Sequence, residues 1–116
     1  MDLGILRIAN VKRCEEVFRP LYSWSPADWA CAMAGEAGEV CNAVKKLRRL
    51  AEGTNTAKDP QTEAECLKQI GEEIADTITY LDLLAARLGL DLSFEVQSKF
   101  NQVSSRMNST VRLGDF

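Results

Sequence analysis

The sequence predicts an all-α protein, and three observations carry that prediction. Two long stretches repeat apolar residues at the helical period. Each is preceded by a cap-then-proline signal. No segment alternates apolar and polar residues with the period of two that a strand needs. The expected architecture is a four-helix bundle-like chain of one domain, residues 1–116, with two long antiparallel central helices.

The first segment, 1–22, reads as a helix over 3–19 and a turn, stopped by Pro20. Ser25-Pro26-Ala27-Asp28 then combines a Ser cap, proline at the first helical position and an acid two residues later. It opens a helix over 26–52 whose apolar positions are Trp29, Met33, Val40, Ala43, Leu47 and Leu50, ended by Gly53. Thr54 to Lys58 is polar and reads as a mobile loop. Asp59-Pro60 repeats the start signal for a helix over 60–88, with Cys66, Ile70, Ile74, Thr77, Leu81, Leu84 and Leu88 as its stripe and Gly89 as its stop. A turn at 90–92 leads to a last helix over 93–107 and a tail over 108–116. Each central helix would run roughly 40 Å at 1.5 Å per residue. So small a chain has little with which to cover such helices, and self-association is expected.

Composition narrows the function classes. Apolar residues at 46% and charged residues at 27% are ordinary for a globular fold. A net charge of -3 argues against general nucleic-acid binding. No apolar run approaches the roughly 18 residues of a membrane span, and the charged N-terminus is no signal peptide. With no CxxC pair among Cys14, Cys31, Cys41 and Cys66, the expected setting is the reducing cytoplasm, with the thiols as small buried apolar groups. There is no histidine, which removes Ser-His-Asp and Cys-His nucleophile systems and imidazole-based zinc sites.

Acids occupy positions where apolar residues belong. On a wheel of about 100° per residue, Glu36 falls within the apolar face of the second helix and Glu39 flanks it by about 60°. Glu73 falls within the face of the third helix and Asp76 flanks it likewise, while Glu72 and Asp82 point away. Four acids converging between two helices repel one another, and a divalent cation resolves the conflict. Hard oxygen ligands without histidine suit Mg²⁺, with Mn²⁺ as the alternative. Gly35 and Gly38 flank Glu36 and suggest close helix approach there. The competing reading is acids at a seam edge, paired with Lys or Arg.

Gly35-Glu36-Ala37-Gly38-Glu39-Val40, followed by Glu72-Glu73-Ile74-Ala75-Asp76, resembles the MazG-like all-α nucleoside triphosphate pyrophosphohydrolase family over roughly residues 24–106. The family signature is an E-x-x-E on one helix and an E-x-x-D on the next. The resemblance implies a homodimer or dimer-of-dimers tetramer, Mg²⁺ on Glu36, Glu39, Glu73 and Asp76, and cleavage of an NTP or dNTP to the monophosphate plus pyrophosphate. Two positions depart from the family pattern: Gly35 stands where many members have a further acid, and Val103 where some have an asparagine.

On that reading Glu36 or Glu39 is the catalytic base that takes a proton from the attacking water. Lys99 and Arg106, seven apart on the last helix, are candidates for the phosphates or an ordinary basic face. Asn101 is a candidate for sugar or base. Tyr80 either lines the nucleotide pocket or belongs to the core, and Trp24 is the aromatic for stacking on a base, with Trp29 in the core. Lys45, Lys46, Arg48 and Arg49 complement a helix C-terminus, or else form an RNA or phosphate surface. A non-catalytic helical oligomerisation or interaction module is the alternative function.

Overall fold

The structure is a computed structural model in which residues 1–114 are described; Asp115 and Phe116, in the expected tail, lie outside the described residues. Among the described residues every regular element is helical. Asp2 caps α1 (Leu3–Arg13) by accepting the Ile5 N–H at 2.8 Å. The chain continues through a π-helical turn, Cys14–Phe18, so the helix expected over 3–19 changes pitch and ends one residue early, with Arg19 extended. A 3₁₀ turn, Leu21–Ser23, precedes α2 (Pro26–Glu52). The Ser25–Asp28 capping box is present in both directions, and Gly53 closes α2 at φ 72°, a left-handed conformation that glycine adopts without strain.

The third helix starts later than expected. α3 spans Glu63–Arg87, capped by the Thr62 hydroxyl accepting the Glu65 N–H. Asp59 is not its cap. Its carboxylate takes the Thr56 N–H at 3.0 Å and Arg49 at 2.8 and 3.2 Å, while Pro60 is buried in the loop. Gln61 donates to the carbonyls of Thr56 and Asp59. The segment expected to be a mobile loop is thus a hydrogen-bonded turn fastened to the end of α2. After Gly89, Asp91 caps α4 (Leu92–Arg106).

Helices α2 and α3 pack closely along their lengths. Trp29 meets Tyr80, and Glu36, seven residues on, meets Glu73, seven residues back, which is an antiparallel register. The core gathers at one end of this pair, where Trp29, fully buried, contacts Cys14, Leu21 and Leu83. The Trp29 indole N–H donates to the Leu21 carbonyl at 2.9 Å, so its burial leaves no donor unpaired.

Helix α1 packs on α3 as well, with Val11 against the core and a polar contact beside it. Asp82, expected to point away, is fully buried; it accepts from Arg7 Nε at 2.9 Å and Asn10 Nδ2 at 3.0 Å. Asn10 also donates to the Thr79 carbonyl at 2.9 Å. Asp82 was expected to point away from the apolar face, and α1 covers it there.

The chain is open for its size. Its radius of gyration is 17.5 Å, against about 13 Å for a compact domain of this length. It exposes 7985 Å², where a folded monomer of 12.9 kDa exposes about 6,300 Å². Helix α4 packs mainly against α1 and does not fold back along α3.

Two outcomes test this fold. Asp82→Ala leaves Arg7 and Asn10 without an acceptor in a buried setting and lowers stability by about 3 kcal/mol, read as a lower urea midpoint at unchanged slope; a variant with the parent midpoint shows that this contact does not fasten α1. The second outcome concerns acid. Arg49 and the Thr56 N–H hold the Asp59 carboxyl down at about 2 from an ordinary 3.8. A lowered acid pKa stabilises the fold above the unfolded value, and that stability is lost as pH falls from about 3.8 through about 2. Parent and Asp59→Asn stability curves, measured from pH 7 downward, therefore converge across this window.

Candidate metal centre

The antiparallel register makes the site. Glu36 of α2 and Glu73 of α3 are half-buried on facing sides of the pair, and Asp76 is exposed one turn further along α3. One carboxylate oxygen from each lies within 4.8 Å of the others. Burial, and then the charges of Asp76, Glu73 and Glu39, push the Glu36 carboxyl above its ordinary range. Glu39 is exposed and adds to this field without joining the three converging ligands.

These acids do not form the ion pairs of the competing reading. Among the described residues the salt bridges are Arg7–Asp82, Arg48–Glu52 and Arg49–Asp59, and none touches the cluster. Three mutually repelling oxygen donors without a neutralising side chain are the chemistry that a hard divalent cation satisfies. The residues present fit Mg²⁺ or Mn²⁺, with Glu36, Glu73 and Asp76 as the converging donors.

The remaining candidates fall into three places. Tyr80, one turn beyond Asp76, is half-buried against the core, its ring centroid 6.4 Å from that of Trp29. Burial, Glu36 and Asp76 raise its hydroxyl pKa, which couples it to the acids. Trp24 is not a free stacking surface: it packs edge to face on Trp29 at 4.7 Å and carries the Arg19 guanidinium 3.8 Å from its ring centroid. On α4, Lys99 and Arg106 are exposed; Lys99 donates to Gln102, and neither is among the charges that set Glu36. The Asn101 amide is engaged elsewhere, exchanging two 2.7 Å hydrogen bonds with the backbone of Leu113 to pin the C-terminal segment.

Other expectations resolve through packing. A methyl group placed on Gly35 or Gly38 meets nothing within 4 Å, so close approach of α2 and α3 does not explain either glycine. Cys14 and Cys66 are buried as expected, whereas Cys31 and Cys41 are exposed. In the basic run, Arg48 pairs with Glu52 and Arg49 with Asp59. The residue that the sequence did not single out is Arg19. Its neighbour Trp24 is five positions away across two changes of backbone conformation, and no periodicity marks that contact.

No family model matches the chain, and no curated protein and no solved structure matches it.

Without a divalent cation, the raised Glu36 pKa makes the folded state bind the proton more tightly than the unfolded state, so stability falls as pH rises from 4.5 through the folded value. Glu36→Gln removes both that slope and one repelling charge. Thermal melts in EDTA should show the variant at least as stable as the parent at pH 7, and added Mg²⁺ should raise the parent's Tm and leave the variant's almost unmoved. A variant that melts several degrees lower in EDTA points instead to a structural ion pair at Glu36.

Proposed function

We propose that the chain is a Mg²⁺-dependent nucleoside triphosphate pyrophosphohydrolase, of the MazG-like all-α kind, that converts an NTP or dNTP to the monophosphate plus pyrophosphate. The observation that carries the reading is the group of Glu36, Glu73 and Asp76, converging from two antiparallel helices with no ion pair to them among the described residues. The three carboxylates repel one another when charged, and a bound divalent cation would relieve that repulsion. The spacing of the tetrads Glu36–Glu39 and Glu73–Asp76 resembles that family.

A bound Mg²⁺ supplies charge neutralisation for the polyphosphate and orients water. The chain's own residues do the rest. Glu36, Glu73 and Asp76 hold the ion. Glu39 lies three residues from Glu36 and outside the converging three, so its carboxylate is free to take a proton from the attacking water. The water oxygen forms the new P–O bond, the α–β phosphoanhydride bond breaks, and pyrophosphate leaves with the electron pair. Lys99 and Arg106 are the candidates for the phosphates, Lys as a point charge and Arg as a fork; α4 does not lie along the cluster within one chain, so they would come from a second copy.

The functional unit is a homodimer or a dimer of dimers. Leu67, Ile74 and Leu81 on α3, and Leu88 just past its end, repeat every seven residues, with Ile78 between, and all are more than a third exposed. The stripe expected to face α2 is therefore split, part of it facing outward as a heptad row of the kind that pairs helices. The excess exposed surface, about 1,700 Å² per chain, is on the scale of each subunit's share of an obligate interface. No helix among the described residues is long and apolar enough to cross a membrane. Four free cysteines suit the cytoplasm. The same apolar row favours the second reading, a non-catalytic helical interaction module.

The two readings part in one experiment. Purified chain with Mg²⁺ and a panel of NTPs and dNTPs should release pyrophosphate and monophosphate in equal amounts, EDTA and Asp76→Asn should abolish the release, and Lys99→Ala should raise KM. Light scattering on the same sample should give two or four chain masses. An oligomer that hydrolyses none of the panel is the interaction module.

A further inference from the structure

Glu39 on α2 and Asp76 on α3 are exposed on the flank of the seam where the acid cluster opens. Followed along α2 toward Gly53, that flank comes next to a cation. Lys46 stands seven residues after Glu39, so it returns to the same helix face two turns later, roughly 10 Å along the axis. Helical side chains lean toward the N-terminus, so the Lys46 stem reaches back over about one of those two turns toward Glu39.

Lys46 differs from the rest of its basic run. Arg48 pairs with Glu52 and Arg49 with Asp59, while Lys45 is exposed and turned about 100° away. Lys46 is half-buried, and no carboxylate pairs with it among the described residues. The register that sets Glu36 against Glu73 puts Lys46 opposite Glu63 at the start of α3, and that acid leaves it unpaired as well. Lys46 is not among the charges that act on Glu36, so it stands clear of the metal ligands. The other cations of the helix pair are placed differently. Lys68 is turned about 140° from Glu73 on α3, and Arg87 donates to the Trp24 carbonyl at 2.9 Å.

The two directions along the seam from the cluster are therefore unlike. Toward Trp29 the next side chain is half-buried Tyr80, backed by the apolar core. Toward Gly53 it is an unpaired ammonium. A nucleoside triphosphate is unlike at its ends in the same sense, uncharged at the nucleoside and strongly anionic at the polyphosphate. We propose that Lys46 binds the β- and γ-phosphates, so that the substrate lies along the seam with its pyrophosphate end toward the C-terminus of α2 and its nucleoside toward Tyr80. An ammonium serves there as a point charge on the departing pyrophosphate. The inference rests on the pyrophosphohydrolase reading and adds to it a phosphate-binding residue from the same chain as the acids.

The test compares the parent with Lys46→Ala, Lys46→Arg and Lys45→Ala, each as the full chain with Mg²⁺. KM is measured for ATP, GTP, CTP and UTP, and calorimetry gives Kd for inorganic pyrophosphate and for the four monophosphates. Lys46→Ala should raise KM and the pyrophosphate Kd about tenfold. It should leave monophosphate affinity and the Tm gain from Mg²⁺ at the parent values. Lys46→Arg keeps a cation on the flank and should restore most of the lost affinity. Lys45→Ala removes the same charge one position away and should change nothing. An equal loss in Lys45→Ala overturns the inference, because the run then acts only through its overall charge. A monophosphate affinity that falls as far as that of pyrophosphate overturns the assigned direction of the substrate. Parent values throughout in Lys46→Ala overturn the inference and leave the pyrophosphohydrolase reading standing. Pyrophosphate binding that depends on Lys46, without cleavage of any nucleotide, sinks the hydrolase reading and keeps the phosphate site. A parent that neither binds pyrophosphate nor cleaves a nucleotide removes both.

Discussion

The rest of the structure depends on the antiparallel seam between α2 and α3. Trp29 sets its register at one end, buried against Leu83 and satisfied through the Leu21 carbonyl. The Arg49–Asp59 contact closes the other, tying the connecting turn to the last turn of α2. Between these ends the two helices have little freedom to slide, because a shift by one residue rotates every contact on a helix by about 100°. Glu36 consequently faces Glu73 and Asp76 whether or not that meeting is favourable. The apolar contacts at the core end hold three carboxylates at a separation that they would not choose.

The two sides of α3 solve burial in different ways. Toward α2 it presents apolar side chains interrupted by acids. Toward α1 it presents Asp82, made tolerable by Arg7 and Asn10, so a fully buried carboxylate has partners on both of its oxygens. The contrast sharpens the meaning of the acid cluster. Where this chain buries a carboxylate for structural reasons it supplies an arginine and an amide from another helix, and at Glu36 it supplies neither.

Openness is the second constraint. A chain with a radius of gyration of 17.5 Å and a heptad row of exposed aliphatics on its central helix keeps much of its apolar surface in water. Hydrophobic burial scales with area removed from solvent, so covering that row would be favourable. Because α4 packs mainly on α1 and not along α3, the uncovered row and the acid cluster belong to the same helix pair.

Much of this was legible in the residues. Helical periodicity, the Ser25–Asp28 box, and the stops at Gly53 and Gly89 are local signals, decided by backbone conformation and hydrogen bonds within a few residues, and they locate α2 and the end of α3. The acids at Glu36, Glu73 and Asp76 were legible for a related reason, since a wheel assigns each to a face without knowing its partner. What failed had long reach or a competing acceptor. Asp59-Pro60 has the composition of a helix start, but the Arg49 guanidinium claims the carboxylate and the start passes to Thr62. Asp82 reads as solvent-facing until a helix 75 residues away covers it. Arg19 and Trp24 meet because the 3₁₀ turn Leu21–Ser23 redirects the chain between them. The sequence by itself determined the helices, their caps and the faces on which the acids stand, because those follow from the periodicity of one helix. Tertiary structure alone decided which faces meet, since that choice minimises exposed apolar area and unpaired charge over the whole chain, and no local pattern records that sum.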